Sequence, residues 1–168
     1  MSSVSRFPEV QPDNSAWPTG LPREPRRPVP ESILSYQRLC RRADCPADFA
    51  ASGGVATGTE VADRLRDAIR QPVSVLAHWI VDRQVIAFSC GAGLWLPLFQ
   101  FDFAQGSVRG GVAPAISELA AVMTDSELAH WFVQPNGWLM GAVPAEKLLS
   151  NVEAVLAAAR ADRYVAKG

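Results

Sequence analysis

The first thirty residues hold seven of the chain's thirteen prolines: Pro8, Pro12, Pro18, Pro22, Pro25, Pro28 and Pro30. Each ring sets φ at about −65° and removes a backbone donor, which bars the segment from helix interiors and central strands. What remains open to it is an extended arm, solvated or wrapped along a partner. Arg23, Arg26 and Arg27 give the end of the arm a basic flavour, read as a solvated linker rather than an anionic-surface contact. After Pro30 a short helix is expected at about Glu31–Arg42, with Ile33, Leu34, Tyr36 and Leu39 apolar, followed by a loop, CPADFAASGG. A domain boundary near Gly54 divides the chain into an arm (1–53), a helix-turn-helix or winged-helix-like unit (54–108) and a helical domain (109–168).

Composition narrows the classes. The chain has 168 residues, 48% hydrophobic and 20% charged, enough for an ordinary core in one domain with some excess. A formal net charge of −1 is not the basic excess of a nucleic-acid binder. No apolar run reaches the roughly 20 residues needed to cross a bilayer, so no membrane role is expected. MSSVSRFPEV lacks the apolar stretch of a signal peptide, which predicts a cytoplasmic location. Cys40, Cys45 and Cys90 are read as reduced thiols, because no second Cys or His pair stands near enough to complete a metal set.

Downstream of Gly54 the local signals are strong. Thr57 and Glu60 fit a capping box, and Val61, Leu65, Ala68 and Ile69 share the face of the helix that follows. Pro72 suits the first turn of a second helix carrying Val73, Leu76, Ala77 and Ile80. The period then changes: Gln84–Phe88 reads as a strand, Cys90–Gly93 as a turn and Leu94–Leu98 as a second strand, which Pro97 places at an edge or ends early. Two short helices and a hairpin is a small winged-helix layout. PLFQFD closes the unit, and Ala104–Gly111 reads as a loop. Helices are expected at 113–123, after the capping box of Thr124 and Glu127, and after another of Ser150 and Glu153. The last carries Val152, Val155, Leu156 and Ala159 on one face and ends in Arg160, Arg163, Tyr164 and Lys167. The fold class is therefore mainly α with one small β-hairpin.

Catalytic chemistry is hard to find. Nucleophile-elbow, zinc-protease, Walker and dinucleotide-binding motifs are all missing, and no cofactor, metal or catalytic residue is expected. His78 and His130 stand on helices beside tryptophans, where a lone histidine usually serves as a structural hydrogen-bonder. Asp102 and Asp125 have no evident acid–base partner. The second helix of this unit, PVSVLAHWIVDR, would be its reading helix and offers Ser74, His78 and Arg83 beside Asp82, a poor set for phosphate contact or base readout. Trp79, Trp95, Phe99 and Phe101 nearby serve packing or dimerisation instead.

The densest pattern is WFVQPNGWLMGAVPAEKLL, Trp131 to Leu149. Pro135-Asn136-Gly137 is turn chemistry in which Asn and Gly tolerate positive φ, and Gly141 supplies another such position. Pro144 suits a helix start, where Glu146 complements the dipole. Local rules leave one thing over: Trp131, Phe132, Trp138, Leu139 and Met140 crowd into ten positions. Such residues fill interface cores and buried cores alike.

Trp131, Pro135-Asn136, Leu139, Gly141, Pro144 and Leu148 resemble the W…PN..L.G..P…L signature of the toxin-binding domain of Xre/MbcA/ParS-type antitoxins. WLPLFQFD, Trp95 to Asp102, resembles the YPxFQFD stretch that precedes that domain, so the likeness covers about residues 57 to 168. The resemblance implies a mostly helical antitoxin whose partner is a cognate protein toxin of the RES or mono-ADP-ribosyltransferase type, directed at NAD. It implies that the C-terminal region covers the toxin's active-site cleft, and that the chain forms a homodimer. The partner-binding set it suggests is Trp131, Pro135, Asn136, Trp138, Leu139, Gly141, Arg160, Arg163, Tyr164 and Lys167. Arg160, Arg163 and Lys167 against Asp162 leave a net positive end, suited to a site that binds an anionic dinucleotide or simply to the helix dipole. Many relatives repress their own operon through a helix-turn-helix; the shortage of cations in this chain's version puts that in doubt. The expectation is thus a non-enzymatic antitoxin, with a winged-helix DNA-binding regulator or an adaptor using the proline-rich arm as alternatives.

Overall fold

Thr57 and Glu60 start the first regular helix as expected. The computed structural model describes residues 47–90 and 93–168; the proline-rich arm, the helix expected at 31–42, Cys40 and Cys45 lie outside the described residues. Glu60 N donates to Thr57 Oγ1 and Thr57 N donates to Glu60 Oε2 at 2.8 Å, so both orphan amides find partners at the head of α1, Gly58–Leu65. Val61 and Leu65 are fully buried. The helix stops at Leu65, so of the other two residues expected on that face Ile69 still packs on the core while Ala68 is exposed. Pro72 is the first residue of α2, Pro72–Val81. Of its expected apolar face only Leu76 is buried; Val73 is 70% exposed. α2 meets α1 along one side and leaves the other open.

Three strands complete this unit: β1 (Val55–Ala56), β2 (Phe88–Cys90) and β3 (Gly93–Pro97), all antiparallel in the order β1-β3-β2. The expected pair of strands is corrected in two ways. β3 is the central strand, not an edge, because the two-residue β1 pairs with it at Ala56↔Leu96. It does end at Pro97, where the ring needs no donor, and the next amide, Leu98, donates to the Gly54 carbonyl at 3.0 Å. The first strand starts at Phe88 rather than Gln84. The preceding extended residues are held by a side chain instead: Gln100 Oε1 accepts from Ile86 N at 2.8 Å and Gln100 Nε2 donates to Ile86 O at 2.9 Å. Strand, two helices and hairpin, with the first strand on the hairpin's second, is winged-helix connectivity.

The expected loop at 104–111 contains a short strand, β5 (Ser107–Val108), paired with β4 (Phe101–Asp102) across a tight turn. The chain then enters α3 (Val112–Leu119) through Gly111 at φ +86°, where a Cβ would lie 2.6 Å from Val152 Cγ1. α4 (Asp125–Val133) opens on the Thr124–Glu127 capping box. A 3₁₀ turn (Gly137–Leu139) and α5 (Pro144–Lys147) lead to α6 (Val152–Lys167), which packs along α3. The third expected capping box is corrected: Asn151, not Ser150, caps α6 and accepts from Ala154 N at 3.0 Å. The helix starts one residue late for the box, and the Ser150 hydroxyl donates to the Lys147 carbonyl. The molecule is mainly helical, with one small three-stranded antiparallel sheet and a two-stranded β4-β5 ribbon.

The sheet separates two apolar clusters. Along the extended segment, Val85 and Ala87 face α1 and α2, while Ile86 and Phe88 face α3, α4 and α6. This is period-two alternation with both faces covered. Phe49, which the expected boundary near Gly54 assigns to the arm, belongs to the second cluster. It sits fully buried on a 3₁₀ helix, Ala47–Ser52, where a loop was expected. Its ring stacks on Phe88 at 5.2 Å and meets His130 edge-on. Residues 47–53 are thus part of the body, and the helical half shares its core with the hairpin.

Candidate functional site

The motif around Trp131 is assembled on a single carboxylate. Asp162, on α6, is buried. Its Oδ2 accepts from Trp131 Nε1 at 2.7 Å and from Asn136 Nδ2 at 2.9 Å, and its Oδ1 accepts from Trp138 Nε1 at 2.9 Å. Three donors from one nineteen-residue stretch therefore converge on a side chain 24 to 31 positions further along. Charge-assisted bonds of this kind run to about twice the strength of neutral ones. Asn136 works in both directions, since its Oδ1 also accepts from Trp138 N at 2.9 Å and caps the 3₁₀ turn.

This clamp sorts the clustered aromatics. Trp131, Phe132 and Leu139 are buried, with Phe132 packed on Phe99 at 5.1 Å. Trp138 is 59% exposed and Met140 is 97% exposed. The turn is closed by two successive left-handed residues, Met140 at φ 57° and Gly141 at φ 82°. Gly141 was expected there. Asn136 and Gly137 were credited with that freedom and do not use it: Asn136 is extended at φ −112° and Gly137 does not have positive φ. Gly141 N reaches back to the Asn136 carbonyl at 2.9 Å, so the tip is tied at its base.

Among the remaining expected site residues, Pro135 and Gly141 are exposed, and Tyr164 is 79% exposed next to an exposed Lys167. Arg160 and Arg163 are not free cations. Arg160 Nε lies 3.1 Å from Glu118 Oε1 and Arg163 Nη1 lies 2.6 Å from Glu118 Oε2, pinning α6 to α3. The positive end foreseen from sequence thus shares its charge with an acid on another helix. In the sequence Asp162 stands out only as an opposing charge in a cationic tail. Its position seven residues after Val155 and three after Ala159 puts it on the buried face of α6, a spacing that marks it as a buried acid in need of partners.

Elsewhere several titratable groups hold one element to another. His130 is fully buried; its Nδ1–H donates to the Ser126 carbonyl at 2.8 Å, and its Nε2 lies 3.4 Å from Asp48 Oδ2. Asp125 pairs with Arg83, and Asp102 accepts from Gln105 N. Among the described residues no group of three His, Cys, Asp or Glu side chains is placed to hold a metal ion. Among them also, no helix is long and apolar enough to cross a membrane. On α2, the outward positions are Val73, Ser74, Ala77, His78 and Val81, without a lysine or arginine. No family model, no curated protein and no solved structure matches this chain.

Proposed function

We propose that this chain is a non-enzymatic, antitoxin-like protein that neutralises a NAD-directed toxin by seating the Trp138–Met140 tip and the end of α6 over the toxin's active-site cleft. One observation carries the reading: a wholly exposed methionine in left-handed backbone, beside a half-exposed tryptophan, on a turn fastened to a buried carboxylate. Left-handed backbone at a non-glycine residue costs about 1–2 kcal/mol, and such strain gathers at functional sites. Trp and Met are favoured at the centres of protein interfaces, and a tip fixed before contact loses less entropy on binding. The resemblance of the same stretch to antitoxin sequences supports the choice of partner. With Arg160 and Arg163 engaged by Glu118, the cation left for the partner at this end is Lys167.

The test is co-expression with the product of a neighbouring toxin gene. A stable complex is expected, with toxin activity suppressed. Met140→Ser should weaken it at least about tenfold, the scale of an interface hot spot, while leaving the unfolding midpoint of the free protein unchanged or raised. No complex, or a complex indifferent to Met140→Ser and Trp138→Ala together, would overturn the reading.

The strand order favours a second reading, a winged-helix transcription regulator. Neutral α2 argues against base readout, and a gel shift on the protein's own promoter decides. Binding that survives physiological salt supports it; binding erased by salt removes it.

A further inference from the structure

Four of the seven arginines of the described residues are held by carboxylates. Arg66, Arg83, Arg160 and Arg163 each pair with a carboxylate, on Asp63, Asp125 and Glu118. Of the other three, Arg70 is exposed, while Arg64 and Arg109, which form no ion pair among the described residues, both line one cleft of about 390 Å³ between the helix–hairpin unit and α5. Its floor and walls include Phe99, Phe101 and Phe103, and Glu146 stands on its α5 side. We propose that this cleft binds a small amphipathic anion: a planar ring carrying a phosphate, carboxylate or sulfonate.

Each part of such a ligand has a counterpart. Arg109 is immobilised, since its Nε donates to the Phe99 carbonyl at 2.9 Å and its backbone N donates to the Gln100 carbonyl at 2.8 Å. A guanidinium held by Nε keeps its terminal N–H groups, and no described residue accepts from them. A fixed fork of this kind matches an oxyanion in bidentate geometry. Arg64 lies over the Phe103 ring at 5.8 Å, a stacked cation and aromatic face on which a flat ring can rest. Glu60, one turn away on α1, has its carboxylate engaged by Thr57 rather than by Arg64. The volume lies at the small end of the ligand-pocket range of roughly 300–1,000 Å³, which suits a single ring system with one anionic group. The junction of two units is a usual place for such a pocket.

The test uses the full chain without any partner, so its outcome is independent of toxin binding. Anilinonaphthalene sulfonate, a planar aromatic anion, is titrated by fluorescence. Adenosine monophosphate and benzoate, then neutral adenosine and benzyl alcohol, are added as competitors. One bound probe per chain is expected, displaced by the anionic competitors and at least about tenfold less well by the neutral ones. Arg109→Gln and Arg64→Gln should each weaken the probe about tenfold, and Arg109→Lys should fall between, keeping charge without the fork. Arg64 is exposed, so Arg64→Gln stays informative even if Arg109→Gln disturbs the Phe99 segment. Equal binding by wild type and Arg64→Gln, several probes per chain, or neutral competitors as effective as anionic ones would overturn the assignment.

Discussion

Gln100 and Asp162 are both buried polar clamps, one in each half, and they solve different problems. Gln100 is a neutral amide whose two ends match the N–H and C=O of Ile86, so the account closes on one residue of backbone. It holds an extended segment in the interior and reaches nothing at the surface. Asp162 accepts from three side chains, two of them buried and one more than half exposed. It therefore ties the core to a surface feature. A clamp that satisfies backbone stabilises the fold; a clamp that extends to an exposed ring also sets the pose of that ring. The difference makes the Asp162 side of the molecule the better candidate for presenting a partner with a preformed shape.

Removing Asp162 should give the largest effect. Asp162→Ala strips the acceptor from Trp131 Nε1 and Asn136 Nδ2, both buried, and each unsatisfied donor costs about 1–3 kcal/mol. A loss of about 3–5 kcal/mol is expected in urea unfolding. Asp162→Asn keeps one acceptor oxygen and should lose less, but it should free Trp138, seen as increased acrylamide quenching of its fluorescence. A loss under about 1 kcal/mol for the alanine variant would show that the carboxylate does not anchor this stretch.

Gln100→Leu should come next, with a loss of about 2–3 kcal/mol from orphaning both polar groups of Ile86. The comparison predicts that tryptophan quenching stays at the wild-type level in this variant. If Gln100→Leu loosens Trp138 as much as Asp162→Asn does, the two clamps are one coupled network and the distinction between them fails.

The legible part of this fold is the local part. Thr57–Glu60 and Thr124–Glu127 are boxes closed within three residues, and Pro72 and Pro144 stand at helix starts for reasons contained in their own rings. The features that escaped reading join distant segments. β1 is two residues long and exists because Ala56 pairs with Leu96, forty positions away. Gln84–Ala87 has strand composition, yet a side chain from the segment after the hairpin takes the place of a neighbouring strand at Ile86. At the candidate site the Trp and Asn positions were visible, but the residue that organises them was not. Asp162 looked like one charge in a cationic tail, and only its place on the apolar face of α6 distinguishes it from Arg160 and Arg163 on either side. Composition likewise showed an aromatic cluster without showing which members are buried. That division shows only in the fold, where Trp131, Phe132 and Leu139 are buried while Trp138 and Met140 are exposed.

Glu60 supplies the smallest and most exposed version of the same chemistry. Its carboxylate accepts from Thr57 N and from the Thr57 hydroxyl, and these bonds hold its pKa below the ordinary 4.5, with Arg64 adding a weaker pull in the same direction. A carboxyl group whose folded pKa is lowered favours the folded state when ionised. Its contribution is therefore complete above about pH 4.5 and disappears as pH falls through the lowered folded value. Glu60→Gln isolates this term, because glutamine can still close a capping box but does not titrate. Unfolding midpoints of wild type and variant should differ slightly at neutral pH and converge as the solution is taken below pH 4.5. Solvent surrounds this carboxylate on all sides, so moderate salt should shrink the difference as well. A gap that stays constant across the acid range would mean that the cap works through hydrogen-bond geometry alone and that charge does not matter at this exposed carboxylate.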